Sequence, residues 1–318
     1  MADANRQELL KDVIVLGGLN MDLIVDTPRV AAPGETAEGT RFYTTPGGKG
    51  GNQAVAAARL AQSPGSVKMV GRIGDDGFGE EMAQFMRNEG IDTSLLMRTE
   101  NIASGIAVIF ILPDGENHVN PVYGANALCD SKQSADVQGA LSTAGVLLCQ
   151  QEVPLPATKA AIDAAAKAGV MVVLDPAPVR DVPDGFYDSV SVLTPNQGEA
   201  SSMANIDVID AASAKSAAIT IRNTGIETVV VTLGDQGAWV ESSGVSELLD
   251  PFKVDVVATV AAGDAFNGGF GVGIASGLGL LDAARLGMAS GALCVGKDGA
   301  QEAMATRAEA EALLASQG

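Results

Sequence analysis

Short apolar runs punctuate this chain at nearly regular intervals. Val13-Ile14-Val15-Leu16-Gly17-Gly18 reads as a strand buried on both faces and closed by a glycine turn. Comparable runs recur at 67–70, 146–149, 170–174, 190–193 and 228–233. Between them the apolar positions shift to a helical period, over 52–61, 78–89, 156–168 and 211–223. The C-terminal third is mostly helical, over 264–277, 280–296 and 307–316, with Gly299-Ala300-Gln301 between the last two helices. Strands alternating with helices predict an α/β fold: a doubly wound, mostly parallel sheet with helices on both faces.

Two stretches break the rhythm. Residues 22–45 and 104–123 alternate apolar and polar positions, as in Thr36-Ala37-Glu38-Gly39-Thr40-Arg41-Phe42-Tyr43 and Gly105-Ile106-Ala107-Val108-Ile109-Phe110-Ile111-Leu112. Pro113-Asp114-Gly115-Glu116 supplies a hairpin turn, and 117–122 the return strand. Two such excursions predict a small β-sheet lid over the carboxyl edge of the main sheet, where ligands bind in doubly wound folds. The expected division is a core of 1–21, 46–103 and 124–318 with a lid of 22–45 and 104–123. An apolar outer face on that lid would suit a homodimer.

Composition narrows the function classes. With 318 residues, 47% of them hydrophobic, the chain can bury a sizeable core. Its net charge of −19, from 20 basic and 39 acidic residues, argues against a nucleic-acid or anionic-membrane partner. Aromatics at 4% leave little surface for stacking bases. Any phosphate site must therefore act locally, through backbone dipoles, a few cations and Mg²⁺. Cys129, Cys149 and Cys294 show neither metal nor disulfide spacing and read as buried free thiols, as in a reducing cytosol. His118 is the only histidine and reads as structural or peripheral. The polar stretch Met1 to Lys11 does not resemble a signal peptide, and no apolar run reaches the ~20 residues of a membrane span. The expectation is a cytoplasmic protein.

Chemistry concentrates in a few segments. Val257-Ala258-Thr259-Val260-Ala261-Ala262-Gly263-Asp264 puts small residues, a glycine and a carboxylate at a predicted helix start. Backbone N–H groups there could face an anion, with Asp264 as a base or merely as a helix cap. Pro46-Gly47-Gly48-Lys49-Gly50-Gly51-Asn52 is no P-loop, because glycine follows Lys49; it permits close approach to a polyhydroxylated ligand or simply feeds a helix opened by Asn52. Asn20 and Asp22 after the first strand suit paired hydroxyls or an ordinary turn, and Glu152 also lies at a strand end. Asn196 and Glu199 share a face at a helix start, as oxygen ligands for Mg²⁺ or as a cap. Thr232-Leu233-Gly234-Asp235-Gln236-Gly237 offers a nucleotide-phosphate shelf. A nicotinamide dehydrogenase would need G-x-G-x-x-G after the first strand, which Gly17-Gly18-Leu19-Asn20 does not supply.

Taken together these segments resemble the ribokinase-type, or PfkB, carbohydrate kinases. The resemblance rests on Gly47–Ala54 (Gly-Gly-Lys-Gly-Gly-Asn-Gln-Ala), Asn196-x-x-Glu199 and Ala261-Ala262-Gly263-Asp264. It extends through 16–22, 33–36, Gly124-Ala125-Asn126, Asp175-Pro176-Ala177-Pro178 and Lys297-Asp298-Gly299-Ala300-Gln301. It implies an ATP-dependent kinase acting on the primary hydroxyl of D-ribose to give ribose 5-phosphate. Asp264 would be the base, with Ala261, Ala262 and Gly263 as anion hole. Asn20, Asp22, Gly48, Lys49, Asn52 and Glu152 would hold the sugar under the lid. Asn196, Thr232, Gly234, Gly237 and Gly263 would line the nucleotide, with Mg²⁺ held by Asn196 and Glu199 through water. The family's activating K⁺ uses an Asp where this chain has Ala258, two residues before Val260, so K⁺ binding should be weakened. Other sugars of the family (2-keto-3-deoxygluconate, fructose, deoxyribose, a nucleoside) and a catalytically idle binding regulator stand as alternatives.

Overall fold

The computed structural model describes residues 11–317. The stretch read as lacking a signal peptide lies, up to residue 10, outside the described residues. Strand β1 (Asp12–Leu16) shows why the sheet is covered on both sides. Val13 and Val15 enter one apolar core and Ile14 and Leu16 the other, all of them buried.

The main sheet is built from β1, β4 (Val67–Gly74), β5 (Leu96–Thr99), β8 (Ala144–Cys149), β9 (Met171–Leu174), β10 (Val192–Leu193) and β11 (Thr228–Thr232), with β12 (Ala238–Ser242) and β13 (Val245–Leu249) at one edge. It has nine strands in the order β13-β12-β11-β10-β9-β8-β1-β4-β5. All neighbours are parallel except β11–β12 and β12–β13. One face is covered by α1 (Lys49–Leu60), α2 (Gly77–Asn88), α7 (Ala262–Ala275), α8 (Leu280–Val295) and α9 (Arg307–Gln317). The other carries α3 (Ser131–Ala140), α4 (Leu155–Lys167), α5 (Gln197–Ala204) and α6 (Ala211–Arg222). The antiparallel edge of β12 and β13 and the helix α3 had no counterpart in the periodicity. Among the described residues no helix is long and apolar enough to cross a membrane.

A second sheet of four strands runs β3-β2-β6-β7, from β2 (Asn20–Asp26), β3 (Arg41–Gly47), β6 (Gly105–Ile111) and β7 (Asn117–Val122). The hairpin turn forms as expected, with Gly115 at φ 86 and Leu112 N donating to Glu116 O. His118 lies on β7 and is exposed. The alternation over 36–43 places its strand too early: β3 starts at Arg41 and runs on to Gly47. The glycine segment is also more helical than its composition indicates. Gly48, at φ 83, reverses the chain and α1 begins at Lys49, so Gly50 and Gly51 are in its first turn rather than in a loop. A Cβ on Gly50 would lie 2.7 Å from the carbonyl carbon of Gly17, so this glycine lets α1 sit directly on the end of β1.

Helix α7 is buried along most of its length, and its glycines set its distance from its neighbours. A side chain on Gly268 would run into Ala57 N at 2.8 Å and Gln53 O at 2.9 Å. A side chain on Gly269 would run into Leu286 O at 3.0 Å. The helix therefore packs backbone-close to both α1 and α8, with Phe266 and Phe270 stacked at 5.8 Å.

Candidate active site

The close approach of α1 and α7 brings the two glycine-rich segments together. Asn52 Nδ2 donates to Asp264 Oδ2 at 2.8 Å, and Gln53 Nε2 donates to Asp264 Oδ1 at 3.2 Å. Asp264 is buried and is the third residue of α7, not its cap. The capping position belongs to Ala261, in the left-handed region at φ 57, with no side-chain cap. That conformation costs a residue with a Cβ roughly 1–2 kcal/mol. The strain turns the chain so that the first N–H groups of α7 lie bare. Gly263 is exposed, and a methyl there would meet nothing within 4 Å. Uncapped N–H groups at an open helix start make an anion site.

The irregular segment before α7 is held from behind. Val257 N and Ala258 N both donate to Val295 O, at 2.7 and 3.1 Å, and Cys294 Sγ contacts Val260 O at 3.6 Å. All three cysteines are buried and free. Asn267 Nδ2 donates to Gly263 O at 2.9 Å and its Oδ1 accepts from Thr194 Oγ1 at 2.7 Å, so the end of β10 steadies the first turn of α7.

On the other side lies a crowd of acids around one cation. Lys49 N donates to Glu152 Oε2 at 2.8 Å, and Lys49 Nζ sits 3.8 Å from Asp175 Oδ2. Burial works against the Lys49 ammonium, but Asp175, Asp264, Glu152 and Glu199 together hold it above the usual lysine range. Burial, only partly offset by Lys49, raises the carboxyls of Asp175 and Glu152. Asp22 is pushed up to about 7 by burial, then by Glu152, Asp264 and Glu302. It faces Gly47, where a Cβ would collide with its carboxyl carbon at 2.6 Å. Gly48 is equally constrained, since a Cβ there would lie 2.6 Å from Asn20 N. Asn20 is buried and its Oδ1 accepts from Asn126 Nδ2 at 3.0 Å. Asn20, Asp22, Gly48, Lys49, Asn52 and Glu152 thus converge with Asp264.

Asn196 and Glu199 lie further out and form a capping box at the start of α5. Glu199 N donates to Asn196 Oδ1 at 2.9 Å, and Asn196 N to Glu199 Oε2 at 2.8 Å. Burial raises the Glu199 carboxyl, with Asp264 adding to the effect while the Asn196 N–H and Lys49 oppose it. Asn196 pairs with Thr232 across a parallel bridge. Gly234, at φ 58, is exposed next to that bridge. Gly237 is buried against Leu249 O, so packing alone requires a glycine there.

Several buried polar residues of the site carried no role in the sequence. Gln53 Nε2 bridges Asp264 and, at 3.0 Å, Asp175 Oδ2. Gln150, Gln301 and Asn126 are buried behind these groups. A usable signal for Gln150 was its place: Gln150-Gln151-Glu152 is a polar run at the end of an apolar strand, where a doubly wound fold directs side chains to the ligand crevice.

A sheet wound on both faces, a second sheet beside its carboxyl edge, and a bare helix start against a buried Asp define a kinase-like site. Residues 10–307 match the family described as pfkB family carbohydrate kinase, and the chain belongs to that family, whose members transfer a phosphoryl group to a sugar hydroxyl. It is 37% identical over 299 residues to the ribokinase of Haemophilus influenzae, covering 94% of this chain and 97% of the relative. It is 33% identical over 305 residues to that of Bacillus subtilis, covering 96% and 100%. Among solved structures, Arabidopsis thaliana ribokinase complexed with ribose and ATP superposes with a TM-score of 0.89, at 29% identity over 96% of this chain and 99% of that one. The ribokinase of Thermotoga maritima gives 0.86, also at 29% identity and with the same coverage of both chains.

Proposed function

We propose that this protein is an ATP-dependent ribose kinase that phosphorylates the primary hydroxyl of D-ribose. The observation that carries the reading is the meeting of Asp264 with Asn52 beside the open start of α7. Asp264 takes the hydroxyl proton as that oxygen attacks the γ-phosphorus and ADP leaves. The N–H groups of Ala261, Ala262 and Gly263, with the positive end of α7, stabilise charge on the transferred group. Asn20, Asp22, Gly48, Lys49, Asn52 and Glu152 hold the sugar. The second sheet, within the excursions 22–45 and 104–123, acts as a lid that excludes water from the reaction. Thr232, Gly234 and the turn to Gly237 support the nucleotide next to Asn196.

Mg²⁺ fits this donor set through water. Glu199 commits one carboxylate oxygen to the cap and keeps the other, and no three His, Cys, Asp or Glu side chains converge into a metal cage among the described residues. Mg²⁺ typically keeps several waters and leans on one or two carboxylates plus phosphates, neutralising charge on the latter. K⁺ fits less well. Ala258 offers a methyl where the resemblance calls for a carboxylate, so we infer reduced K⁺ dependence. Phe42 and Val122, exposed apolar residues that the strand register puts on the face opposite Asn20 and Asp22, support a homodimer through the outer face of the second sheet.

An ADP-release assay over a sugar panel, with Asp264→Asn alongside, tests the activity. Turnover should be highest with ribose and fall at least ~100-fold in the variant, the scale of a lost general base. Wild-type rates in Asp264→Asn would remove the base assignment, and preference for another sugar would remove ribose.

A further inference from the structure

Behind the inner amides of the site stands a second set of amides, and each outer one donates to the carbonyl oxygen of an inner one. Gln150 Nε2 donates to Gln53 Oε1 at 2.6 Å, Gln301 Nε2 to Asn52 Oδ1 at 3.1 Å, and Asn126 Nδ2 to Asn20 Oδ1 at 3.0 Å. All three outer residues are at most 1% exposed. A primary amide can turn over and exchange donor for acceptor, so its direction must be fixed by its neighbours. Asn126 has only one workable direction, since its Oδ1 accepts from Leu19 N at 3.0 Å while its Nδ2 donates to Leu19 O at 2.8 Å. Gln53 and Asn52 must in turn point their NH₂ groups at carboxylates.

We propose that Asn126, Gln150 and Gln301 are positioning residues that lock the inner amides with their NH₂ groups facing the reacting centre. This deepens the kinase reading above and rests on it. Two further observations support a dedicated layer rather than incidental packing. Each outer amide lies against a glycine: a methyl on Gly17 would land on Gln150 Oε1, one on Gly105 on Asn126 Nδ2, and one on Gly51 2.9 Å from Gln301 Nε2. The glycines make room for the amides. In addition, the carbonyl oxygens of Gln150 and Gln301 are buried and accept no hydrogen bond among the described residues. Their own satisfaction therefore does not explain their direction, whereas the donation inward does.

The consequences differ between the pairs. Gln150 and Gln301 keep two N–H donors on Asp264, so the side chain of the base is held in one orientation. Asn126 keeps the NH₂ of Asn20 free. Asn20 and Asp22 lie two apart on β2 and share a face. A sugar hydroxyl that gives its proton to Asp22 can only accept from Asn20, so a turned-over Asn20 would put oxygen against oxygen.

The test is a split between binding and turnover. Gln150→Glu replaces the donor by an acceptor and lets Gln53 turn its oxygen towards Asp264. It should lower kcat about tenfold or more, the scale of one lost hydrogen bond to a charged group, with a smaller change in ribose Kd by calorimetry. Asn126→Asp should do the reverse, raising ribose Kd about tenfold or more with a smaller change in kcat. Gln150→Met, which removes the donor without adding charge, decides the first arm if the Glu variant does not fold, and should also lower kcat more than it changes Kd. If the variants change Kd and kcat in equal proportion, or neither, the positioning role is wrong. Asp264→Asn run in parallel separates the layers. An active Asp264→Asn enzyme removes the base itself, whereas an inactive one beside fully active Gln150 variants overturns only the positioning inference.

Discussion

Replacing Asp22 by Asn should stabilise the protein and weaken its grip on sugar, and the two effects should have different pH signatures. The folded carboxyl titrates at about 7 because burial, Glu152, Asp264 and Glu302 all oppose its charge. An unfolded Asp titrates at about 3.9. The fold therefore binds this proton more tightly than the unfolded chain does, and stability falls as pH rises from about 4 to 7, the loss being complete above 7. Three units at about 1.36 kcal/mol each give an upper limit of about 4 kcal/mol, reduced by water at this half-buried group. Asn at position 22 keeps the shape and removes the loss. Thermal unfolding should show Asp22→Asn more stable than wild type at pH 8, by a few degrees, with the gap closing towards pH 4.

Sugar binding should respond in the opposite sense. The carboxylate form accepts hydrogen bonds from hydroxyls, so protons compete with sugar. Wild-type ribose Kd should rise about tenfold per unit below pH 7 and level off above it. Asp22→Asn should bind about 10- to 100-fold more weakly at pH 8, for the loss of a charged hydrogen bond, and show no such pH slope. A stability gap independent of pH, or unchanged ribose affinity in the variant, would refute the argument that Asp22 is a strained carboxylate retained for the ligand.

Three further outcomes follow from other parts of the molecule. Gly268→Val should destabilise by about 1–3 kcal/mol in denaturant unfolding and abolish most activity, because it pushes α7 off α1 and parts Asp264 from Asn52; a stable, fully active variant would contradict the packing argument. Activity compared in K⁺ and in a bulky organic cation should differ little, because Ala258 supplies no carboxylate; strong activation at millimolar K⁺ would count against this. Phe42→Glu combined with Val122→Glu, both exposed on the face of the second sheet opposite Asn20 and Asp22, should shift sedimentation from dimer to monomer without changing the fold, and an unchanged sedimentation coefficient would exclude that face as the interface.

The alternation of apolar runs carried the main sheet well, because a strand buried on both faces must be apolar throughout, as β1 is. It carried less of the edges. The pair β12–β13 is partly exposed, and β10 keeps only Val192 and Leu193 of an apolar run that starts at Val190. Local pattern also misjudged the glycine segment. Glycines usually signal loops, yet Gly50 and Gly51 sit in a helix because tertiary contact with Gly17 and Gln301, not backbone freedom, demands them. The residues with charges or motif positions were visible in the sequence, and the structure brings Asp264 to Asn52. The amide network was not: Gln150 stands in no motif, and Gln53 and Gln301, although within motif segments, acquire a role only once their partners, 97 and 249 positions away, are known.

The same geometry explains how an acidic chain can accept a polyanion. Glu152, Asp175, Glu199 and Asp264 all press on Lys49, so the free site is short of positive charge. Over a few ångströms in a partly buried site such interactions are worth several kcal/mol and are not screened away. A bare nucleotide would add to the repulsion at Glu199 and Asp175. The open start of α7 supplies about half a unit of positive charge, and only within its first turn. That is enough to orient one phosphoryl group, not to balance a triphosphate. On the proposed reading the remainder would come with the nucleotide as a divalent cation, which Glu199 could hold with the oxygen left free by the cap. In that reading local dipoles would aim the transferred group at the hydroxyl beside Asp264, and a divalent cation would offset the charge that the protein's own composition makes worse.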